Sequence, residues 1–507
     1  EALEVITEKN PLPFITGTIC SHACMGKCTR NFYEDPVHIR GMKLIAAENG
    51  YDALMEKITA PAVTRRGKAA VVGGGPAGMA AAFFLRRAGM EVTLFEKTGT
   101  LGGVVRHVIP GFRIPDSAIE KDAALLEKMG VNICLNTEIT DLAMLRNADY
   151  TAVIVAAGAS EPGVLKLEKG EPVNALKFLA DFKAHDGNLD IGKNVVVIGG
   201  GNTAMDTARA AKRTKGVEHA YLVYRRTKRY MPADEEELVM AVEDGVEFME
   251  LLSPVKLEDG GLLCDVMKLG DIDASGRRGV VSTGETRKIP ADTVIAAVGE
   301  RVPTAFYEAN GIAVSDRGRA IVNGETCESS IPGVYVIGDG LGGPATVVEG
   351  IRDGLKAAEA VAGEKLVREI ASHTDEKAVY NKRGILSDAA EDAQESSRCL
   401  GCSGICENCV EVCPNRANIS IRVPGMEKHQ IIHVDYMCNE CGNCRSFCPY
   451  DSAPYLDKFT LFADEKDMDD SRNQGFAVLD AEQVKCRVRF FGETTVWTKG
   501  EETGIPE

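Results

Sequence analysis

Two stretches of this chain repeat one device, an apolar strand running through a glycine turn into a helix. Val71-Val-Gly-Gly-Gly-Pro-Ala-Gly78 is the first copy and Val196-Val-Ile-Gly-Gly-Gly-Asn-Thr-Ala204 the second. In such a turn the first glycine permits the reversal and the second lets backbone approach a bound phosphate. The third position must be small so that the helix can pack on the strand. A helix starting there also points its N-terminal N–H groups at the phosphate. Two copies, set within alternating strands and helices from 67 to 365, restrict this part of the chain to doubly wound α/β domains with parallel sheets. The full 507 residues are too many for one core, so further domains are expected at the ends.

Around the first loop, the pattern predicts a strand over Ala69–Val72, a helix over Ala77–Ala88 and a second strand over Glu91–Phe95 that ends at Glu96. A carboxylate at that place accepts hydrogen bonds from ribose hydroxyls, which makes this a dinucleotide site. The alternative for a lone glycine motif is an ordinary tight turn. Leu101-Gly102-Gly103 follows Glu96, and Gly333-Val-Tyr-Val-Ile-Gly338-Asp339 lies far downstream. The latter resembles the flavoprotein segment whose aspartate binds the ribityl chain, although a turn aspartate would look the same. Pro344-Ala-Thr346-Val347 then opens a helix whose N-terminus can face a flavin ring. The cofactor expected here is FAD. Its candidate residues are Gly73, Gly75, Pro76, Ala77, Gly78, Glu96, Gly102, Gly103, Arg113, Ala157, Gly158, Gly338, Asp339, Thr346 and Val347.

The second loop offers Gly199, Gly201 and Ala204, with Asn202, Thr203 and Asp206 on the helix that follows. The next strand, expected over Ala220–Tyr224, ends in Arg225-Arg226 with Lys228 and Arg229 behind, and no acid stands at the ribose position. Arginine there suits a 2′-phosphate, so NADPH is expected over NADH. A solvated basic turn is the plainer alternative. Segments of the FAD unit flank this loop on both sides, so the NADPH domain is expected to be inserted into the FAD domain. No cysteine pair follows Gly103, where Val104-Val105-Arg106 stands instead, so disulfide reduction beside the flavin is not expected. None of the eight histidines sits in a catalytic setting.

The chain has 16 cysteines, most of them in two clusters. Cys438-x2-Cys441-x2-Cys444-x3-Cys448-Pro449 is the run of bacterial ferredoxins, in which the fourth cysteine ligates the other cluster. Its partner is Cys402-x3-Cys406-x2-Cys409-x3-Cys413-Pro414. Crossed ligation assigns Cys402, Cys406, Cys409 and Cys448 to one [4Fe–4S] cluster, and Cys438, Cys441, Cys444 and Cys413 to the other. Cys399 could replace Cys402, and zinc is the alternative for any four thiolates. Near the start, Cys20, Cys24 and Cys28 supply three thiolates, either buried bystanders or half of a further N-terminal cluster. The chain opens Glu1-Ala2-Leu3 without methionine, so missing upstream residues are expected to hold the other half.

A net charge of −17 argues against nucleic acid as partner, and no apolar run reaches the length of a membrane span. The cysteine usage suits a reducing, cytoplasmic setting. The expected organisation is a helical N-terminal segment over 1–66 and the FAD domain over 67–175 and 300–365. The NADPH domain fills 176–299, a linker 366–397, and a ferredoxin-like domain with its tail 398–507. The tail segment Cys486-Arg-Val-Arg-Phe-Phe is expected as an edge strand.

Residues 11–365 resemble the NADPH-dependent small subunit of glutamate synthase and the N-terminal half of dihydropyrimidine dehydrogenase. The resemblance rests on Asn10-Pro-Leu-Pro, the three early cysteines, both glycine loops and Ile109-Pro-Gly-Phe-Arg-Ile-Pro115. Tyr224-Arg-Arg226, Met231-Pro-Ala233 and Gly338-Asp339 complete it. With Arg398-Cys-Leu-Gly-Cys402, Cys413-Pro-Asn-Arg-Ala-Asn418 and Asn439-Glu-Cys-Gly-Asn443 added, the whole chain is most similar to a family named for selenate reductase iron–sulfur subunits. No residue here reads as an oxyanion reduction site. The resemblance implies an oxidoreductase subunit that moves electrons from NADPH through FAD and clusters to a partner subunit or a missing domain, within a hetero-oligomer. Alternatives are a flavoprotein acting directly on a small selenate-like or pyrimidine- or purine-like substrate, and a non-catalytic electron-carrier subunit.

Overall fold

The computed structural model describes residues 1–500 apart from 33, 160, 273–276, 368–374, 383–384, 388–391, 403–405, 425 and 427–428; the side chains of 392–394 are also left out. The chain forms two units. One joins Glu1–Ser21 to Lys43–Arg368, and the other joins His22–Met42 to Glu369–Glu507. The expected segment 1–66 is therefore divided, with its middle folded among the cysteine runs. The expected linker over 366–397 lies partly outside the described residues.

The first unit holds two parallel five-stranded sheets. In one, the order is Val334–Val336, Tyr150–Val155, Lys68–Val72, Glu91–Phe95 and Asn132–Cys134. Every neighbouring pair runs parallel. In the other, Val173–Asn174, Thr293–Ala296, Asn194–Ile198, His219–Tyr224 and Glu247–Glu250 pair in that order, again all parallel. Strands such as Asn194-Val-Val-Val-Ile198 are continuous β-branched runs because helices cover both faces of a parallel sheet. The insertion is visible in the pairing. Tyr150–Val155 and Val334–Val336 are neighbours in the first sheet, and the whole second sheet lies between them in sequence. Glu161–Pro162 and Glu300–Arg301 pair antiparallel where the chain passes between the two sheets. An antiparallel sheet of Leu252–Glu258, Gly261–Ile272 and Arg278–Pro290 extends the inserted domain.

The second unit is built on a six-stranded mixed sheet, Asn418–Ile421, Gln430–Val434, Phe459–Phe462, Gly475–Asp480, Lys485–Phe490 and Glu493–Thr498. The expected edge strand at Cys486 is internal. Lys485–Phe490 pairs with Gly475–Asp480 on one side and Glu493–Thr498 on the other. Glu493-Thr-Thr-Val-Trp-Thr498 carries no strand signal of its own, because its only apolar residues, Val496 and Trp497, are adjacent and point to opposite faces.

The N-terminal helix Pro13–Ile19 is fastened to the FAD domain by one side chain. Asp122, fully buried on the helix Asp116–Lys128, accepts from the N–H of Phe14 at 3.1 Å and of Ile15 at 2.8 Å. These are donors that a helix start leaves without internal partners. Burial pushes the Asp122 carboxyl up to about 8 against the pull of those two N–H groups. A carboxyl raised in the folded state stabilises the protein most at low pH, and that stability is lost as pH rises through the raised value. Asp122→Ala should lower unfolding stability by about 1–3 kcal/mol, since it leaves two buried N–H groups unpaired. Urea titrations across pH 5 to 9 should show its deficit against wild type shrinking toward the alkaline end.

Candidate functional site

The strand Lys68–Val72 delivers the chain into the first glycine turn, and the helix Pro76–Arg87 leaves it with proline in its first turn. Gly73 sits at φ +108°, and a Cβ there would stand 2.3 Å from the Ala156 carbonyl oxygen. A Cβ on Gly78 would stand 2.0 Å from the Gly73 oxygen. No other residue fits either place, because the obstacles are backbone. Gly102 N–H donates to the Gly74 oxygen at 2.8 Å, and a Cβ on Gly103 would come within 2.9 Å of the Gly75 Cα. Gly73, Gly75, Pro76, Ala77, Gly78, Gly102 and Gly103 are thus gathered on one turn.

Glu96 is buried beside it. One carboxylate oxygen accepts from Gly74 N–H at 2.7 Å, and the other from the Thr98 N–H and hydroxyl at 2.8 Å each. Gly338, at φ +65°, lies against Ala77, which brings Asp339 to the same turn. Asp339 accepts from Ala345 N–H at 3.0 Å, and burial pushes its carboxyl up to about 6. Gly158 borders the same segment, with its N–H 3.4 Å from where a Gly340 Cβ would stand, and Ala157 precedes it. Thr346 caps the helix Val347–Ala362 in a reciprocal pair with Glu349. That helix packs on Pro76–Arg87 through Gly350 and Gly354, glycines that periodicity did not single out because they serve helix–helix contact. The cradle of backbone with no room for Cβ, rimmed by Glu96 and Asp339, fits FAD.

Arg113 also reaches the inserted domain. Its guanidinium pairs with Asp206 at 3.3 Å and with Glu237, both from the inserted domain. Asp206, expected on NADPH, is buried on the helix Asn202–Arg213, and burial pushes its carboxyl up to about 6 although Arg113 pulls it down. Phe112, next to Arg113, lies under the guanidinium groups of Arg209 and Arg213 at 5.0 and 4.3 Å. Arg113 and Asp206 therefore join the two domains across this boundary. The Ile109–Pro115 motif signalled importance in the sequence, but nothing in it could show which partner its arginine takes.

At the second turn, a Gly199 Cβ would stand 2.3 Å from the Ala297 oxygen and 3.0 Å from the Ala204 Cβ, whereas Gly201 faces open space. Asn202 exchanges hydrogen bonds with Asp234, at 3.0 and 3.2 Å. Thr203 donates to Glu300, which lies on the link between the sheets; burial raises the Glu300 carboxyl, and Asp339 feels its charge. Sequence reasoning passed over Glu300. Arg225 stands exposed at the end of His219–Tyr224, and Arg226 donates from Nε to the Arg278 oxygen at 2.9 Å.

In the second unit, Cys413, Cys438, Cys441 and Cys444 line one pocket. Cys406 and Cys448 neighbour Cys409, and the Tyr450 hydroxyl donates to the Cys402 backbone oxygen at 3.1 Å. Cys402 lies beside Cys406, Cys399 and Cys28, and Cys444 also neighbours Cys409. Backbone N–H groups point at sulfur in that pocket, from Ala417 to Cys413 at 3.2 Å and from Glu440 to Cys438 at 3.3 Å. Soft thiols with N–H donors aimed at them fit iron–sulfur ligation. Cys399 accepts a similar bond from Gly401 at 3.4 Å. Of the early cysteines, Cys20 belongs to the first unit, and Cys24 and Cys28 to the second.

The model of the family described as pyridine nucleotide-disulphide oxidoreductase matches residues 67–354. Over 537 aligned residues the chain is 40% identical to YgfK of Escherichia coli O157:H7, whose name classes it as an oxidoreductase; the match covers 100% of this chain and 51% of that protein. It is 33% identical over 389 residues to the glutamate synthase [NADPH] small chain of Azospirillum brasilense, covering 71% of this chain and 80% of the relative. The chain spans about half the length of YgfK. Among solved structures, FprA of Mycobacterium tuberculosis shares the fold, with a TM-score of 0.50 at 21% identity over 59% of this chain and 84% of FprA. Among the described residues no helix is long and apolar enough to cross a membrane. With both glycine turns built and the family match running through them, the chain belongs to the pyridine nucleotide-disulphide oxidoreductase family.

Proposed function

We propose that this chain is the electron-input part of a larger reductase, taking reducing equivalents from NADPH at the inserted domain and releasing them singly to a protein partner at the cysteine-rich unit. The observation that carries this is the pocket lined by Cys413, Cys438, Cys441 and Cys444 in a chain that also builds two nested dinucleotide turns. When bound, FAD at the first turn and [4Fe–4S] clusters at the two thiol sets supply the change from two-electron to one-electron transfer.

The chain's own residues have separable tasks in this reading. Gly199 and Gly201 admit the NADPH pyrophosphate to the N-terminus of Asn202–Arg213, and Arg225 with Arg226 receives the 2′-phosphate. Arg113, held between Asp206 and Glu237, keeps the nucleotide domain in register with the flavin turn. Glu96 and Asp339 hold cofactor hydroxyls and undertake no proton transfer. The partner reading draws support from the name of the glutamate synthase relative, which is a small chain and so part of a larger assembly. A flavin that reduces a small substrate directly, or a carrier subunit with no nucleotide activity, would leave one of the two halves without a task.

Replacing Arg225 and Arg226 together by alanine should raise KM for NADPH about tenfold or more, because a charge-assisted contact is worth about 1.5–3 kcal/mol. KM for NADH should hardly move; equal losses for the two nucleotides would mean that the arginines only solvate the surface. The exit route is tested with Cys444→Ser, which alters one thiol set and neither turn. Stopped-flow mixing with NADPH should bleach the flavin at near the wild-type rate while reduction of a ferredoxin-like acceptor collapses. Acceptor reduction that persists after demonstrated loss of iron would show that electrons leave from the flavin itself.

A further inference from the structure

Residues 22–42 lie far from the cysteine runs in sequence and fold among them. Their attachment is buried and ionic. Arg30, 2% exposed, donates from Nε to the Arg398 oxygen at 2.6 Å and pairs with Glu34. Arg398 holds Glu395 at 2.7 Å and the Asp35 oxygen at 2.7 Å, and the next residue is Cys399. Nearby, the Phe32 ring lies 4.9 Å from that of Phe447, the neighbour of Cys448. Buried ion pairs stabilise little in net terms, since desolvation offsets their attraction, but they fix geometry.

The residue so positioned is Thr29. It is 4% exposed, and its hydroxyl oxygen stands 3.1 Å from the Cys402 sulfur. As a free thiol Cys402 could donate or accept. As a ligand it has lost its proton, so only Thr29 can donate. Such a bond is stronger when the sulfur carries more negative charge, and reduction of a cluster adds that charge. A dry setting strengthens it further.

We infer that Thr29 is a positioning residue that donates a hydrogen bond to the Cys402 sulfur and raises the reduction potential of the cluster Cys402 helps to hold. This rests on the reading of Cys402 as a ligand. The two thiol sets come from near-repeated runs, and the donors to Cys413 and Cys438 are backbone N–H groups. A hydroxyl delivered from 373 residues away makes the sets unequal, and unequal potentials give electrons a preferred order of occupancy.

The test is an EPR-monitored redox titration of the full chain loaded with FAD and iron, with iron counted in every sample. Thr29→Val should keep wild-type iron and move the midpoint of one signal to a more negative potential, leaving the other in place. Thr29→Ser, which keeps the hydroxyl, should titrate like wild type. The inference is overturned if Thr29→Val titrates unchanged with full iron, or if serine and valine shift the midpoint alike. Iron loss in both Thr29→Val and Thr29→Ala also overturns it, because a tuning bond is not required for assembly. Cys402→Ala tests the ligand reading separately: full iron there would remove Cys402 from the ligands whatever Thr29 does.

Discussion

Everything in the first unit depends on how closely backbone approaches backbone at Gly73. The Ala156 carbonyl, the Gly73 turn and the start of Pro76–Arg87 are pressed together so tightly that a single Cβ would collide with an oxygen. That contact fixes the angle at which the helix leaves the sheet, and hence the place of its N-terminus. Gly338 and Gly350 meet Ala77 on the same helix, so Asp339 and the capped start of Val347–Ala362 are located by the same contact. The inserted domain repeats the arrangement with Ala297 in the role of Ala156. A flavin and a nicotinamide are thus framed by two copies of one steric fact.

This is why so much of the first unit was legible in the sequence. Glycine at a place where only glycine fits is a strong signal, and buried parallel strands are continuous apolar runs. Glu91–Phe95 has the expected bounds, and Lys68–Val72 and Pro76–Arg87 begin one residue earlier than expected. What was not legible concerns partners chosen by folding. The Ile109–Pro115 motif could not show that Arg113 pairs with Asp206 and Glu237 of the inserted domain. The pattern around Cys20, Cys24 and Cys28 gave no hint that 22–42 folds with the distant cysteine runs, because the Arg30–Glu34 pair that fastens it forms only in the fold. Glu300 was overlooked for a similar reason: its role arises only where the link strand brings it to Thr203.

Charge is used differently in the two units. In the first unit, carboxyls held by backbone N–H donors are raised by burial, as at Asp122 and Asp339. In the second unit, Arg30 and Arg398 are buried with Glu34 and Glu395, so opposite charges are balanced within the brace. Glu34 is held below the usual carboxylate range against burial by Ser387 N–H and the two guanidinium groups, and burial pushes the Cys409 thiol up to about 11. A thiol so reluctant to ionise is a poor nucleophile until something more electrophilic than a proton claims it.

The nesting of one sheet inside the other has a consequence for synthesis. Tyr150–Val155 pairs with Val334–Val336, and the chain between Val155 and Val334 includes the entire second sheet. At roughly 5–20 residues per second, the ribosome needs on the order of ten to forty seconds to supply the missing partner. For that time Tyr150–Val155 presents an open edge, the kind of surface on which nascent chains aggregate. The inserted domain limits the exposure, because its ends meet in the antiparallel pair Glu161–Pro162 with Glu300–Arg301. Once the insert has folded, the long excursion shrinks to a short loop, and the closure entropy of the outer sheet has already been met. The order of folding is thereby written into the order of the chain: inside first, outside last.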